Sequence, residues 1–152
     1  PGYRLAVFTQ GCPHGCPGCH NPQTHRFDGG YEADTQEIIA QMGLNPLVRG
    51  VTLSGGEPMM QAEALCEIAQ AARERGMNVW CYTGYTLEEL IKEAKPERMR
   101  LLQWIDVLVD GPYLSHERSL DLLYRGSRNQ RLIDMPRTLA CGQVCLYTPP
   151  AW

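Results

Sequence analysis

The sequence lacks the long apolar stretches and the charge runs that mark several large classes of protein. No apolar run approaches the ~18–20 residues that a membrane span needs. The start of the chain shows no charged segment followed by an apolar one, as a secretory signal would. No run of Lys or Arg reaches five residues, and the formal net charge is −3, so a nucleic-acid-binding face is not indicated. These absences favour a cytoplasmic protein that binds neither membranes nor nucleic acid.

Cysteine is the residue with the most uneven distribution. The chain has 7 cysteines, an odd number that does not suit a complete disulfide framework. Three of them fall close together in the pattern C-x3-C-x2-C, at Cys12, Cys16 and Cys19. Clustered cysteines without a secretory signal indicate a metal or redox site in a reducing compartment.

The length and composition are those of one ordinary globular domain. The chain has 152 residues, of which 43% are hydrophobic and 20% charged. We therefore expect residues 1–152 to form a single domain. The sequence opens on Pro1 without a Met, and we expect that some N-terminal residues precede it.

Apolar stretches and helix signals alternate along the chain at roughly 30 residues per unit, the size of a β-α-β element. The patterns predict strands at residues 3–9, 50–54, 77–83 and 104–110, and a further strand at 121–126. They predict helices at residues 34–43, 61–75 and 86–93 and after Pro96, and a turn-rich segment at 135–152. This order is typical of an α/β fold with a parallel sheet. A closed (β/α) barrel typically needs ~250 residues, so we expect a partial, open barrel.

In such a fold, functional side chains lie in loops at the carboxyl ends of the strands. Four unusual loops occupy these positions. They are the cysteine loop after the first strand, Gly55–Glu57 after the second, Gly84-Tyr85 after the third and Asp110-Gly111 after the fourth. We expect a single pocket to collect all four.

Two kinds of metal site suit the three clustered thiols. A zinc site would need His14 or His20 as the fourth ligand, and zinc ligand pairs usually lie a dozen or more residues apart. The tight spacing favours a 4Fe–4S cluster, around which three glycines let the backbone wrap closely, namely Gly11, Gly15 and Gly18. With three protein ligands, one iron stays open to a further ligand, as in a catalytic zinc site.

The segment Gly55-Gly56-Glu57 offers a place for that further ligand. Adjacent glycines allow close backbone approach, and the carboxylate of Glu57 can accept from an ammonium group. A molecule that places its α-amino group on Glu57 and chelates the open iron would be an amino acid derivative.

Together these motifs resemble those of the radical S-adenosylmethionine (SAM) superfamily. Five blocks that run in order from Phe8 to Asp134 resemble, more narrowly, the family of activating proteins of anaerobic ribonucleoside-triphosphate reductase. The blocks are FTQGCPHGCPGCHNPQT, LSGGEPM, CYTGYTLEEL, IDVLVDGPY and RGSRNQRLID. Members of this family are glycyl-radical enzyme activases.

The resemblance implies a fold, a reaction and its partners. The fold would be the open barrel of the radical SAM type. Cys12, Cys16 and Cys19 would hold one 4Fe–4S cluster at the catalytic centre, and SAM would bind the open iron. A one-electron donor such as flavodoxin would reduce the cluster, and SAM would be cleaved to methionine and a 5′-deoxyadenosyl radical. That radical would remove a hydrogen from a backbone glycine of the reductase.

The resemblance also implies roles for single residues. Gly55, Gly56 and Glu57 would hold the methionine part of SAM, and Thr83 and Gly84 the ribose. The adenine would lie against Gly18, Cys19 and His20. Many relatives have an aromatic residue where Gly18 stands, so the adenine contact at this point would involve the backbone alone. Asp110 and the stretch Arg125–Arg131 would lie at the pocket or at the partner surface.

Some alternatives stay open at this point. The same cofactors would serve an activase of another glycyl-radical enzyme, or a radical SAM enzyme that acts on a small molecule. A zinc-stabilised binding module is the alternative that is not an enzyme. Cys141 and Cys145 are spaced as a pair and leave a second metal site open, whereas Cys66 and Cys81 are expected to be small core residues.

Overall fold

A five-stranded sheet forms the centre of the fold. The computed structural model describes residues 2–19 and 22–149. The strands lie in chain order across the sheet: β1 (Tyr3–Thr9), β2 (Val48–Gly55), β3 (Asn78–Tyr82), β4 (Val107–Asp110) and β5 (Arg131–Asp134). The first four are mutually parallel, and β5 runs antiparallel to β4. The predicted α/β class with a mainly parallel sheet is confirmed.

Five α-helices connect and flank these strands: α1 (Thr35–Gln41), α2 (Ala62–Glu74), α3 (Leu87–Glu93), α4 (Pro96–Leu102) and α5 (Met135–Cys141). Asp34 caps α1 by accepting from the Gln36 backbone N–H at 2.9 Å. Thr86 and Glu89 form a capping box at the start of α3, so that each side chain accepts from the other's backbone N–H. The predicted helix starts in these two segments are confirmed.

The main core lies where the helices cover the sheet. Alternate strand residues point into it, including Leu53 of β2, Cys81 of β3, Leu108 of β4 and Ile133 of β5, all fully buried. The 13-residue helix α2 contributes its apolar stripe, and Leu65, Ile68, Ala69 and Ala72 are buried there. Cys81 is thus the small core residue that its strand position predicts.

A second, smaller apolar cluster covers the other side of the sheet. Trp80 of β3 lies at its centre, with ring centroids 5.1 Å from Tyr124 and 5.5 Å from Tyr147. The chain near its C-terminus reaches this cluster by lying beside β5, where the Tyr147 backbone N–H donates to Leu132 O at 2.8 Å. Trp80 and the half-buried Tyr82 therefore pack this side of the sheet.

The chain beyond β4 differs from the predicted pattern. The strand predicted at 121–126 is wrong, because Tyr124 has φ 66°, a left-handed conformation that an extended strand does not allow. The last strand is β5 instead. The turn-rich segment predicted from residue 135 begins with helix α5, whose start is marked by the cap Asp134 and by Pro136 in the first turn.

Within residues 2–19 and 22–149, no helix combines the length and the apolar character that a membrane span requires.

Candidate active site

A pocket of about 110 Å³ lies at the carboxyl ends of β1 to β4. Residues from all four predicted loops line it, among them Cys12, Cys16, Cys19, Glu57, Gly84 and Gly111. The sheet explains this convergence, because parallel strands in chain order bring their following loops to one edge. The prediction that a single pocket collects these loops is confirmed.

The backbone at the base of the cysteine loop is fixed by hydrogen bonds. The Gly11 N–H donates to Thr24 O at 2.7 Å, and the Cys12 N–H donates to His25 O at 3.0 Å. On the other side, the Glu57 N–H donates to Gly11 O at 2.8 Å. The loop is therefore tied both to its own return segment and to the turn that follows β2.

None of the three cysteines is in a disulfide, and all three are partly exposed and line the same pocket. Burial raises the pKa of the Cys12 thiol, and hydrogen bonds from the loop backbone oppose this rise. Within the described residues, no three His, Cys, Asp or Glu side chains converge as they would on a single metal ion. A 4Fe–4S cluster binds each thiolate to a different iron, so its ligands surround a volume rather than a point. Three cysteines on a glycine-rich loop around one pocket fit that donor set.

Glu57 occupies the floor of the pocket, and its side chain is only 1% exposed. One carboxylate oxygen accepts from the Gly84 N–H at 2.7 Å and contacts His14 Nε2 at 2.6 Å. The other accepts from Thr83 Oγ1 at 2.8 Å and from the Met59 N–H at 3.0 Å. This charge is thus buried with several hydrogen-bond partners, as a buried carboxylate requires. The carboxylate that we predicted for a ligand ammonium group is surrounded by partners from the chain itself.

The sequence did not indicate that His14 contacts Glu57. Its ring packs edge-on against Tyr85, with centroids 4.6 Å apart, while its Nε2 meets Glu57. A side chain at Gly84 would fill the same space, since a Cβ there would lie 2.7 Å from His14 Nε2. The only available signal was its position between the first two cysteines of the loop.

The glycines Gly55 and Gly56 allow a close approach of the chain to itself. Gly55 has φ 100°, and a Cβ there would overlap the backbone of Thr9. A Cβ at Gly56 would overlap Gly11 O and lie 2.7 Å from Thr24 O. We predicted close approach to a ligand, but the nearest neighbour of both glycines is the backbone around the cysteine loop.

The residues predicted for the ribose line the pocket, whereas those predicted for the adenine do so only in part. Thr83 and Gly84 line the pocket and bind Glu57. Gly18 has φ 74° and faces Tyr113 and Ser115, at 3.6 and 3.5 Å from its Cβ position. Cys19 lines the pocket, whereas His20 lies outside the described residues.

Comparison with known proteins agrees with this arrangement of motifs. A family model described as "4Fe-4S single cluster domain" matches residues 1–133. A protein of Haemophilus influenzae is 34% identical over 139 residues, which cover 85% of this chain and 86% of that protein. Proteins of Vibrio cholerae and of Enterobacteria phage T4 are 38% and 31% identical, covering 86% and 87% of this chain and 86% and 84% of their own lengths. All three are named "Anaerobic ribonucleoside-triphosphate reductase-activating protein".

The chain belongs to this family of activating proteins.

In this family member, Asp110 lies behind the pocket wall rather than in the pocket. Its carboxylate is buried, accepts from the Leu87 N–H at 2.8 Å and pairs with Arg131, whose Nε lies 3.0 Å away. Arg131 also pairs with Glu88. The hydrogen bonds that Arg131 donates to Asp110 and Glu88 hold its pKa above the ordinary value. Asp110 therefore joins the end of β4 and the start of β5 to the start of α3, next to Gly84-Tyr85.

Hydrogen bonds hold the stretch Arg125–Arg131 in a defined loop conformation, so it is not simply a set of solvated arginines. Gln130 is its centre: its amide donates to Gly111 O at 3.1 Å and accepts from the Gly126 N–H at 2.9 Å. Asn129 donates to Pro112 O at 2.7 Å, and Arg125 donates to Gln130 O at 2.7 Å. Gln130 itself lines the pocket, a role that the sequence did not single out. Arg128 is exposed and remains available to a partner.

Asp110→Ala is expected to lower the free energy of unfolding by roughly 2–4 kcal/mol, because it leaves the Leu87 N–H and half of the Arg131 pairing without an acceptor. The matched control is Glu88→Gln, since Glu88 is exposed and pairs with the same arginine. That change is expected to cost less than ~1 kcal/mol. Urea unfolding followed by circular dichroism measures both. Equal losses in the two variants would contradict a structural role for Asp110.

Proposed function

We propose that this chain is a radical SAM activase. With a 4Fe–4S cluster on Cys12, Cys16 and Cys19, it cleaves SAM reductively and takes a hydrogen atom from a glycine of anaerobic ribonucleoside-triphosphate reductase. One observation carries the proposal: the three cysteines of the loop and the Gly55–Glu57 turn line one pocket. The similarity to proteins that are named activating proteins of this reductase supports the choice of partner.

Different residues of the pocket would bind the cluster and the separate parts of SAM. When bound, the reduced cluster supplies the electron that splits SAM into methionine and the 5′-deoxyadenosyl radical. The Gly55–Glu57 turn would hold the methionine part, and Thr83 and Gly84 would hold the ribose. Gly18, Cys19 and His20 would lie against the adenine. The hydrogen bonds at Gly11 and Cys12 keep the thiol loop oriented toward Glu57.

Binding of SAM requires His14 to move away from Glu57. Pockets for small molecules typically enclose ~300–1,000 Å³, and this pocket measures about 110 Å³. His14 fills the space between Glu57 and Gly84, and it occupies the carboxylate that an ammonium group would need. His14 therefore occupies the position that we propose for the ligand's amino group.

His14→Ala is expected to lower the KM for SAM by up to roughly tenfold, because the ligand no longer has to break a hydrogen bond to a charged group. The matched control is His25→Ala, because His25 lines the same pocket, whereas His14 is the histidine of the described residues that contacts Glu57. The measurement is 5′-deoxyadenosine formation against SAM concentration, in anaerobic protein with equal iron content. A raised KM in His14→Ala would mean that His14 supports Glu57 in the bound state as well.

We further propose that the sheet is the arc of an open barrel of the radical SAM type, and that residues 1–152 form one such domain. Four parallel strands in chain order support this, since a (β/α) barrel orders its strands in the same way. An open side would admit the glycine loop of the reductase, because hydrogen abstraction needs near contact, on the order of 3–4 Å. The electron donor would be a flavodoxin-like protein, and the location the reducing cytoplasm.

The test is SAM cleavage under strictly anaerobic conditions, with and without the reductase. We expect 5′-deoxyadenosine in both cases and, with the reductase, a glycyl radical detected by electron paramagnetic resonance. Cleavage without any radical on the reductase would redirect the proposal to another glycyl-radical enzyme or to a small molecule. Stoichiometric zinc, with no iron after anaerobic reconstitution, would overturn it in favour of a binding module.

A further inference from the structure

Two cysteines far from the pocket lie together where helix α5 ends. Cys141 is the last residue of α5 and is exposed, and Cys145 follows after one short turn and is partly exposed. Gly142 makes that turn, with φ 73° and its N–H bonded to Thr138 O at 2.9 Å. The left-handed glycine reverses the chain and brings residues 143–145 back along the helix.

The backbone of Cys145 is fixed in place over the helix. Its N–H donates to Thr138 Oγ1 at 3.0 Å, and its carbonyl accepts from the Asp134 N–H at 2.8 Å. Thr138 and Cys141 are three residues apart on α5 and so lie on the same face of the helix. Cys145 is therefore held against the helix face that carries Cys141.

The two thiols interact with each other. Burial raises the pKa of the Cys145 thiol, and so does the hydrogen bond that this thiol donates to the Cys141 sulfur. Cys145 Sγ also contacts Gln143 O at 3.5 Å, within the same turn. Neither thiol belongs to the candidate active site, whose pocket takes its three cysteines from the loop after β1.

The remaining cysteines are arranged differently. Cys66 lies in α2 and is partly exposed, and Cys81 lies in β3 and is fully buried. Burial raises the pKa of the Cys81 thiol well above its ordinary value, which makes it inert. Cys141 and Cys145 are thus the pair outside the pocket that the Gly142 turn brings together and that solvent can reach.

We propose that Cys141 and Cys145 form a reversible dithiol–disulfide site that exchanges with a small disulfide of the glutathione type. Cys141 is the more exposed thiol and reacts first. Its thiolate attacks one sulfur of the small disulfide, whose S–S bond breaks and releases one thiol. The Cys145 thiolate then attacks the Cys141 sulfur, and the second small thiol leaves. The protein gives up two electrons and two protons, and the small disulfide takes up both.

The disulfide would fasten the C-terminal segment to α5. Residues 145–147 lie beside β5, through the Ile133–Leu146 pairing and the Tyr147–Leu132 hydrogen bond. Tyr147 in turn packs on Trp80. A bond between the two sulfurs would close a small ring across the Gly142 turn and restrain this edge of the sheet. The oxidised form is therefore expected to resist chymotrypsin at Leu146 and Tyr147 better than the reduced form.

The sequence allows a direct test. Trypsin cleaves after Arg137, and the peptide that starts at Thr138 contains Cys141 and Cys145 but none of the other five cysteines. Iron-loaded, full-length protein is incubated anaerobically with oxidised glutathione, alkylated, digested and analysed by mass spectrometry. We expect the wild-type peptide to be two hydrogens lighter and unalkylated, and to become doubly alkylated when it is reduced first.

Single variants separate the two steps. Cys145→Ser is expected to accumulate a mixed disulfide with glutathione on Cys141, because no second thiol resolves it. Cys141→Ser is expected to leave Cys145 mostly alkylatable, and the control Cys66→Ser is expected to form the disulfide as the wild type does. Wild-type peptide that is still doubly alkylatable, or that carries glutathione on both cysteines, would overturn the proposal. So would an oxidised form that chymotrypsin cuts as fast as the reduced one.

Discussion

Cys16→Ser is expected to remove both the iron and the SAM-cleaving activity of the protein, down to background. The pocket offers three thiols, and the other four cysteines lie in α2, in β3 and around the end of α5. No spare thiol of the described residues therefore stands at the pocket to replace a lost ligand. A serine hydroxyl is a hard ligand that does not substitute for a soft thiolate on iron–sulfur clusters. Cys12→Ser and Cys19→Ser are expected to have the same effect.

Iron and sulfide content, visible absorbance and 5′-deoxyadenosine formation measure this loss. Cys66→Ser is the matched control, because it makes the same chemical change in α2, away from the pocket. We expect it to keep its iron and its turnover. Full iron content and turnover in Cys16→Ser would show that this residue is not a ligand, and the assignment of the cysteine loop would fail.

The second large effect is expected for Glu57→Gln. An amide keeps one acceptor oxygen and replaces the other with a donor NH₂ group. One pair of partners, either Gly84 N–H with His14 or Thr83 with Met59 N–H, then faces a donor. Each buried donor without an acceptor costs about 1–3 kcal/mol, so we expect the metal-free chain to lose roughly 2–5 kcal/mol of stability. The lost charge would also remove the partner of the ammonium group and raise the KM for SAM by roughly 10- to 100-fold.

Glu63→Gln provides the comparison, because Glu63 is an exposed carboxylate in the first turn of α2. Urea unfolding of the metal-free chains measures the stability change, and SAM titration of iron-loaded protein at a temperature where both variants are folded measures the KM. A stability loss with an unchanged KM would leave Glu57 a purely structural residue. An unchanged stability would contradict the hydrogen bonds that surround it.

The sequence predicted the parts of this molecule whose signals are local. The helix predicted at 86–93 is one of them, since the residues of its capping box, Thr86 and Glu89, lie only three positions apart. The pocket followed from the order of strands, since loops after parallel strands share one edge. The prediction of a strand at 121–126 is wrong because Leu122 and Leu123 are not apolar for packing in a sheet. They line a surface groove with Leu146 and Tyr147 near the C-terminus. Their partners lie more than 20 residues away, beyond any local pattern.

The chemical details of the site were predicted only in part, for a similar reason. The sequence identified Glu57 and the three cysteines by spacing, but the contact of His14 with Glu57 joins residues 43 apart. Gln130 lines the pocket because its amide spans Gly111 and Gly126, and nothing in its neighbours marks that role. The sequence marked Gly56 because glycine allows a close approach. Only the fold shows that the groups that approach it belong to Gly11 and Thr24.

The hydrogen bonds beneath the cysteine loop bear on the order in which the chain folds and takes up its proposed cluster. The backbone N–H groups of Gly11, Cys12 and Glu57 all donate to carbonyl oxygens of the chain itself. Small zinc domains fold only as they bind their metal, whereas this chain has a core and a sheet that are complete without the loop. We therefore expect the metal-free chain to fold, and the proposed cluster to be inserted into a scaffold that has already formed.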